Sequence, residues 1–243
     1  MQGSVAIGRI VAAMDDERAA WRPEDGLGVF CDVYRQVTAL AALRVTDGTF
    51  TDPAFVEDLD VRFASLFLDV PRDLAARREV SRAWAPLVER RSTRGIWPVQ
   101  FALAGMNAHI NRDLPVVLVA TVGDDGRELR DGSDEHRDFL EVNGILAATE
   151  ERVKPELLTG FLGLVDRWLG AADDAVALWN VARARDAAWS NARTLWALRG
   201  SPELAREFVL TLDRSTGLAG RGLLRPLPPV LRLLLDRLRR RFR

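Results

Sequence analysis

Polar side chains interrupt an otherwise apolar stretch at residues 101–115, which reads FALAGMNAHINRDLP. We call this stretch the central motif, and its polar members are Asn107, His109, Asn111, Arg112 and Asp113. Side chains four residues apart lie on one face of a helix. His109 and Asp113 are therefore predicted to lie together, and Asn107 and Asn111 are predicted to pair on an adjacent face.

Three kinds of chemistry are compatible with a histidine and a carboxylate at this spacing. Asp113 can fix the tautomer of His109 and raise its basicity, as acid–base catalysis requires. Both side chains can also bind a divalent metal, although a zinc site usually needs three or four protein ligands. The third alternative is a structural network in which the buried polar groups satisfy one another. The residues alone leave all three open.

Asp60 is a candidate partner from another part of the chain. It lies in a helix predicted to begin at Asp52 and Pro53, with Asp52 as the capping residue. Asp60 borders the apolar stripe of this helix, so we expect it to approach His109 or Arg112. The candidate ligands of a divalent metal are His109, Asp113 and Asp60.

Aromatic residues supply candidate walls for an apolar pocket. Tyr34, the only tyrosine, falls on the apolar stripe of a helix predicted over residues 30–45. Trp189 falls in a long helix predicted over residues 171–198. Each of them either fills the core or lines a pocket. His136 is predicted to lie on the surface, and Cys31, among apolar neighbours, is predicted to be a core residue.

Several catalytic motifs are missing from the sequence. It contains no Gly-x-Ser-x-Gly element and no Walker or dinucleotide glycine pattern, so no nucleotide cofactor is expected. The formal net charge of −1 argues against a protein that binds nucleic acid through general positive charge. The single cysteine permits no internal disulfide.

The periodicity of apolar residues predicts helices throughout the chain. Residues 116–119 are apolar enough for a strand, but no partner strand is evident, so they are predicted to continue the central helix after a kink at Pro115. The predicted fold is all-α, with a single multi-helix, bundle-like domain over residues 1–222. The other predicted helices cover residues 4–21, 72–91 (after a break at Pro71), 155–169 and 203–212, with one more after Ser133 and a glycine-rich connection at 215–222.

Residues 223–243 are predicted to form a basic amphipathic helix. Residues 225–243 carry a formal charge of +6, whereas residues 1–224 carry −7. This tail is therefore expected to dock on the chain's own acidic body, on another subunit, or on an anionic membrane surface. The sequence has no secretory signal and no run of 18 apolar residues, so we expect a cytoplasmic protein.

Four segments of the chain resemble a known family. They are LDVRFA at 59–64, AGMNAHINRDLP at 104–115, FLEVNGIL at 139–146 and ARDAAW at 184–189. Over roughly residues 5–200, the chain resembles the uncharacterised bacterial family catalogued as domain of unknown function 5995. The resemblance implies an all-helical protein and draws attention to Asp60, Asn107, His109 and Asp113 without assigning them roles. It also suggests a place in specialised metabolism.

The leading hypothesis is an enzyme of cyclase, isomerase or hydrolase type that acts on a small, largely apolar metabolite. The candidate catalytic residues are His109, Asp113, Asn107 and Asp60, and the candidate substrate-binding residues are Asn111, Tyr34, Arg112 and Trp189. One alternative is a noncatalytic helical binding or assembly protein with a structural polar core. A second alternative is a metal-dependent hydrolase.

Overall fold

The computed structural model describes residues 3–144 and 181–226, and all regular secondary structure in these ranges is helical. The all-α prediction is therefore confirmed. The helices are α1 (Val5–Ala19), α2 (Gly26–Arg44), α3 (Pro53–Ala75), α4 (Ala85–Arg90), α5 (Pro98–Ala108), α6 (Leu114–Asp124), α7 (residues 134–144 as described), α8 (Val181–Ala197) and α9 (Pro202–Leu223).

Side-chain caps fix where the first three helices begin. Ser4 Oγ accepts a hydrogen bond from the Ile7 amide at 3.1 Å, and Asp52 Oδ1 accepts one from the Phe55 amide at 3.1 Å, at the two predicted starts. Helix α2 begins earlier than residue 30, however. Asp25 Oδ1 accepts from the Leu27 amide at 2.9 Å, and this cap allows residues 26–29 to be helical.

The break predicted at Pro71 lies inside a helix. Pro71 does not end α3, which continues to Ala75 because the buried apolar stripe continues through Leu68, Val70 and Pro71 itself. The helix ends instead near Arg77, whose φ of 55° is in the left-handed region. The helix predicted over residues 72–91 is consequently reduced to the short α4.

Helix α9 replaces a predicted short helix and glycine-rich connection. It runs unbroken from Pro202 to Leu223. Gly217 and Gly220 are buried within it, and a Cβ at Gly217 would lie 2.2 Å from the backbone oxygen of Arg82. These glycines permit close packing of a helix, which outweighs their low helical propensity.

The central motif forms the middle of the molecule. A five-residue π-helical turn, His109–Asp113, joins α5 directly to α6, so the strand alternative for residues 116–119 is wrong. Helices α2 and α9 pack against α5, α3 and α8 pack against α6, and α8 and α9 also contact the π turn. Helix α1 packs against α2 and α3. The π turn is therefore enclosed on several sides.

Some predicted elements lie outside the described residues. They are the helix at 155–169, the first part of the long helix predicted at 171–198, and the tail beyond residue 226. Within the described residues, the tail begins against the body, because Gln100 Nε2 donates to the backbone oxygens of Leu223 at 2.7 Å and Arg225 at 2.9 Å. No helix in the described ranges is long and apolar enough to cross a membrane.

Candidate active site

The π turn aligns His109 with Asp113. The amide of Leu114 donates to the oxygen of His109, five residues back, which widens the helix by one residue. Pro115 follows at the start of α6 and has no N–H to donate. A kink was predicted at Pro115, whereas the π turn lies just before this proline. His109 Nδ1 lies 3.1 Å from Asp113 Oδ2, which confirms the predicted contact.

Asp113 is a buried carboxylate with three partners. Its side chain is 1% exposed. Trp84 Nε1 donates to Oδ2 at 2.9 Å, and Arg112 Nη1 donates to Oδ1 at 2.8 Å. Burial alone would raise the pKa of Asp113, but the hydrogen bonds and charges of His109 and Arg112 outweigh it and lower the pKa below its ordinary value. Asp113 is therefore ionised at neutral pH.

His109 is neutral in this environment. Its side chain is 2% exposed. Burial lowers the pKa of His109 below 6.5, against the smaller opposing effect of Asp113. A neutral imidazole beside an ionised carboxylate places its proton on Nδ1, which donates to Asp113. Nε2 then carries the lone pair, and it is buried without a hydrogen-bonding partner among the described residues.

Aromatic rings enclose the imidazole. The Phe63 ring stacks on it with a centroid distance of 3.6 Å and an interplanar angle of 6°. The Tyr34 ring approaches edge-on at 4.6 Å, and the rings of Phe30 and Trp84 lie at 6.0 and 5.9 Å. These contacts hold the orientation of the imidazole ring and bury Nε2.

Two further polar atoms beside this aromatic cluster have no hydrogen-bonding partner among the described residues. They are the Tyr34 hydroxyl and Asp60 Oδ2, both buried. Asp60 precedes Phe63 by three residues on α3, and Tyr34 contacts both Phe63 and His109. The Thr38 hydroxyl donates to the backbone oxygen of Tyr34 at 3.0 Å. Burial raises the pKa of Tyr34 well above its ordinary value, so the phenol keeps its proton.

Asp60 does not contact His109 or Arg112, contrary to the prediction. No hydrogen bond or ion pair joins it to either residue within the described part of the chain. Burial raises the pKa of Asp60 to about 7, against the opposing effect of the Arg185 cation. Asp60 acts electrostatically on Tyr34 and Arg185 instead.

The two asparagines pair as predicted and also secure α9. Asn111 Nδ2 donates to Asn107 Oδ1 at 3.1 Å, and Asn107 Nδ2 donates to the backbone oxygen of Thr216 at 2.9 Å. Asn107 is 4% exposed. Their amide groups therefore hold α9 against the motif.

Arg112 likewise bonds within the protein. Besides its hydrogen bond to Asp113, its Nε lies within ion-pair distance of Asp213 Oδ1 on α9, at 3.7 Å, but has no hydrogen-bonding partner among the described residues. The Asp213 carboxylate also accepts hydrogen bonds from the backbone amides of Arg82 and Ala83, both at 3.0 Å. A series of hydrogen bonds and ion pairs thus connects His109 to α9 and to the segment before α4.

The comparisons with known proteins bear on the whole of this arrangement. The model of a family of unknown function, DUF5995, matches residues 7–226. The chain belongs to this family. Neither a search of curated proteins nor a search of solved structures found a match. Family membership therefore covers the described site and assigns no activity to it.

Trp189 lies in a different part of this DUF5995 chain from the one predicted. Its ring stacks on His136 at 4.5 Å and packs against Phe139 at 5.1 Å, and its Nε1 donates to Asp131 Oδ1 at 2.9 Å. No ring contact joins Trp189 to His109 in the described residues. His136 is half-buried against Trp189, whereas it was predicted to lie free on the surface.

The residues proposed as metal ligands do not converge. Among the described residues, no three His, Cys, Asp or Glu side chains form a group that could hold a metal ion. His109 and Asp113 are in contact, but Asp60 is not part of their hydrogen-bonded group. Cys31 is buried, and burial raises the pKa of its thiol to about 12, consistent with the predicted core role.

Four residues of the site escaped prediction as site residues. Trp84 and Phe63 fall on apolar stripes and look like ordinary core residues in the sequence. Asp213 falls between the helix predicted at 203–212 and the glycine-rich connection predicted at 215–222. Arg185 is next to Asp186 in the sequence, but Arg185 is buried and Asp186 is exposed. A buried role for Arg185 could have been found only from its place on the stripe shared with Ala188, Trp189 and Ala192.

Proposed function

We propose that this protein is an enzyme that moves a proton on a small, largely apolar molecule, with His109 Nε2 as the atom that accepts and returns it. The observation that carries the proposal is the state of His109. Its Nδ1 lies 3.1 Å from Asp113 Oδ2, while its Nε2 is buried and has no hydrogen-bonding partner in residues 3–144 and 181–226. Buried polar atoms without partners are costly and are concentrated at functional sites.

The chemistry follows from the arrangement of charges. A substrate C–H or O–H proton transferred to Nε2 would make His109 an imidazolium, whose positive charge Asp113 stabilises through the Nδ1 hydrogen bond. Return of a proton from Nε2 to another substrate atom gives an isomerisation or a cyclisation and needs no co-reactant, and a fraction of these protons exchanges with solvent before it returns. The rings of Phe63 and Tyr34 would pack against the apolar part of the molecule. Action in the cytoplasm and in specialised metabolism belongs to the same proposal and rests on the sequence and the family resemblance alone.

The alternative of a noncatalytic binding or assembly protein also has a specific observation in its favour. Asn107 donates a hydrogen bond to α9, Asp213 of α9 accepts one from the segment before α4, and Arg112 lies within ion-pair distance of Asp213, so these groups join helices and do not face an open site. In that case the polar centre would specify how α9 docks. This alternative gives no role to His109 Nε2.

Solvent deuterium incorporation separates the two candidates without a known substrate. The wild-type protein is incubated in D₂O with a fractionated bacterial metabolite extract, and mass spectrometry detects compounds that gain deuterium. His109→Gln is expected to abolish the enzyme-dependent incorporation, whereas His136→Gln, at the only other histidine, is expected to retain it. Incorporation that survives in a folded His109→Gln protein would rule out the proposed role of Nε2.

A further inference from the structure

Arg185 is a buried cation with neutral hydrogen-bonding partners. It lies on α8 and is 6% exposed. Its Nε donates to Asn143 Oδ1 and its Nη2 donates to the backbone oxygen of Phe139, both at 2.8 Å. Its Cζ lies 4.1 Å from the centre of the Phe139 ring. Among the described residues, no carboxylate forms an ion pair with it within 4.0 Å.

A buried guanidinium without an anion is unfavourable. Desolvation of a charge costs several kcal/mol unless an opposite charge or several hydrogen bonds compensate it. Burial lowers the pKa of Arg185 to about 10, so the side chain still carries its charge at neutral pH. The interior therefore contains a positive charge that a bound anion would compensate.

The surroundings of Arg185 connect it with the aromatic cluster. Asp186, Asp60 and Tyr34 interact electrostatically with Arg185 and offset its burial only in part, and none of them is hydrogen bonded to it. Helix α8, which carries Arg185, packs against the π turn that carries His109. The Tyr34 hydroxyl has no hydrogen-bonding partner among the described residues, and the Tyr34 ring lies 4.6 Å from the His109 ring. A cation and a neutral hydrogen-bond donor are the groups that bind a carboxylate.

We propose that Arg185 and the Tyr34 hydroxyl bind the carboxylate of a small apolar acid, whose ring or chain packs against the aromatic cluster at His109. This inference rests on the proposed function in one respect, because it takes the same interior as the ligand site and names the class of ligand. Asp60 borders the carboxylate position and repels the ligand when it is ionised. The charge of Arg185 adds no binding affinity for a neutral analogue of the acid.

Matched acid and amide probes test the proposal. Benzoate, phenylacetate and cyclohexanecarboxylate are each compared with the corresponding amide by calorimetry on the full chain. At least one acid is expected to bind at least about ten-fold more tightly than its amide. Arg185→Gln is expected to abolish this preference, whereas Arg193→Gln, an exposed arginine on the same helix that pairs with Asp131, is expected to keep it. Equal binding of every acid and its amide, or a preference that survives Arg185→Gln, would overturn the inference.

Two further variants keep the test decisive. If Arg185→Gln does not fold, Asp60→Asn serves in its place. Because this variant removes the neighbouring carboxylate, the acids are expected to bind more tightly and the amides with unchanged affinity. An equal change in the affinity of both would contradict the anion site. His109→Gln is expected to retain the acid preference, because Arg185 and not His109 holds the carboxylate. Loss of deuterium incorporation and loss of acid preference therefore report on different proposals.

Discussion

His109 and Asp60 are both buried ionisable residues, and burial moves their pKa values in opposite directions. Burial disfavours the charged form of each, so it lowers the pKa of His109 and raises that of Asp60 to about 7. Asp113 differs from Asp60 because Trp84, Arg112 and His109 all bond to it. Two aspartates in one interior thus have different protonation, as acid–base sites often do.

Asp60→Asn is expected to stabilise the protein at high pH. Because the pKa of Asp60 is raised in the folded state from 3.8 to about 7, the folded state loses stability as pH rises through this window. An amide has no charge to bury. The increase in unfolding temperature should be several degrees at about pH 8 and smaller at about pH 5. Asp58→Asn on the exposed face of α3 serves as the control. An equal effect of Asp60→Asn at both pH values would contradict the shifted pKa.

At the scale of elements, the close docking of α9 depends on Gly217. A Cβ there would lie 2.2 Å from the oxygen of Arg82, which is backbone and cannot rotate away. Gly217→Ala is expected to cost about 1–3 kcal/mol of unfolding free energy. In the same helix, Gly222 has nothing within 4 Å of an added Cβ, so Gly222→Ala is expected to be neutral or to stabilise by up to about 1 kcal/mol. Urea unfolding of both variants measures the difference, and similar values for the two would refute tight docking at Gly217.

The elements were predictable where local signals determine them. Ser4 and Asp52 mark two helix starts, and the four-residue spacing places His109 against Asp113. The prediction that the helix ends at Pro71 was wrong because burial of the apolar stripe around it outweighs the local cost of a proline within α3. Gly217 and Gly220 led to the wrong prediction of a connection at 215–222. They lie in a helix at a point where another segment approaches closely, which no local pattern reveals.

At the scale of the whole molecule, the site is assembled from distant segments. The His109–Asp113 contact lies within one turn, so the sequence could predict it. Phe63, Trp84 and Arg185 reach the site through the packing of α3, the segment before α4, and α8. The types of Phe63 and Trp84 give no sign of this, because buried aromatic residues occur in every core, and Arg185 gives none because arginine is mostly exposed. The family relationship covers residues 7–226 and is consistent with one architecture over that length.

The stability of the whole chain should depend on pH through His109. Because the folded pKa of His109 lies below the unfolded value of 6.5, the unfolded state takes up the proton first as pH falls, and stability is lost below 6.5. Relative to His109→Gln, the wild-type protein should lose about 1 kcal/mol between about pH 8 and about pH 5.5. Chemical unfolding at both pH values measures this loss, with His136→Gln as the control. A wild-type protein that gains stability relative to His109→Gln over this interval would show that the folded state protonates His109.

Nitrogen NMR of the histidine side chains tests the central claim most directly. With only two histidines in the chain, ¹⁵N-histidine labelling gives four ring nitrogens, and His136→Gln assigns them. We expect His109 at neutral pH to show a protonated Nδ1 and an unprotonated Nε2, and to keep this form below the pH at which a free histidine titrates. A protonated Nε2, in either the imidazolium or the other neutral tautomer, would contradict the proposal that Nε2 is the proton-accepting atom.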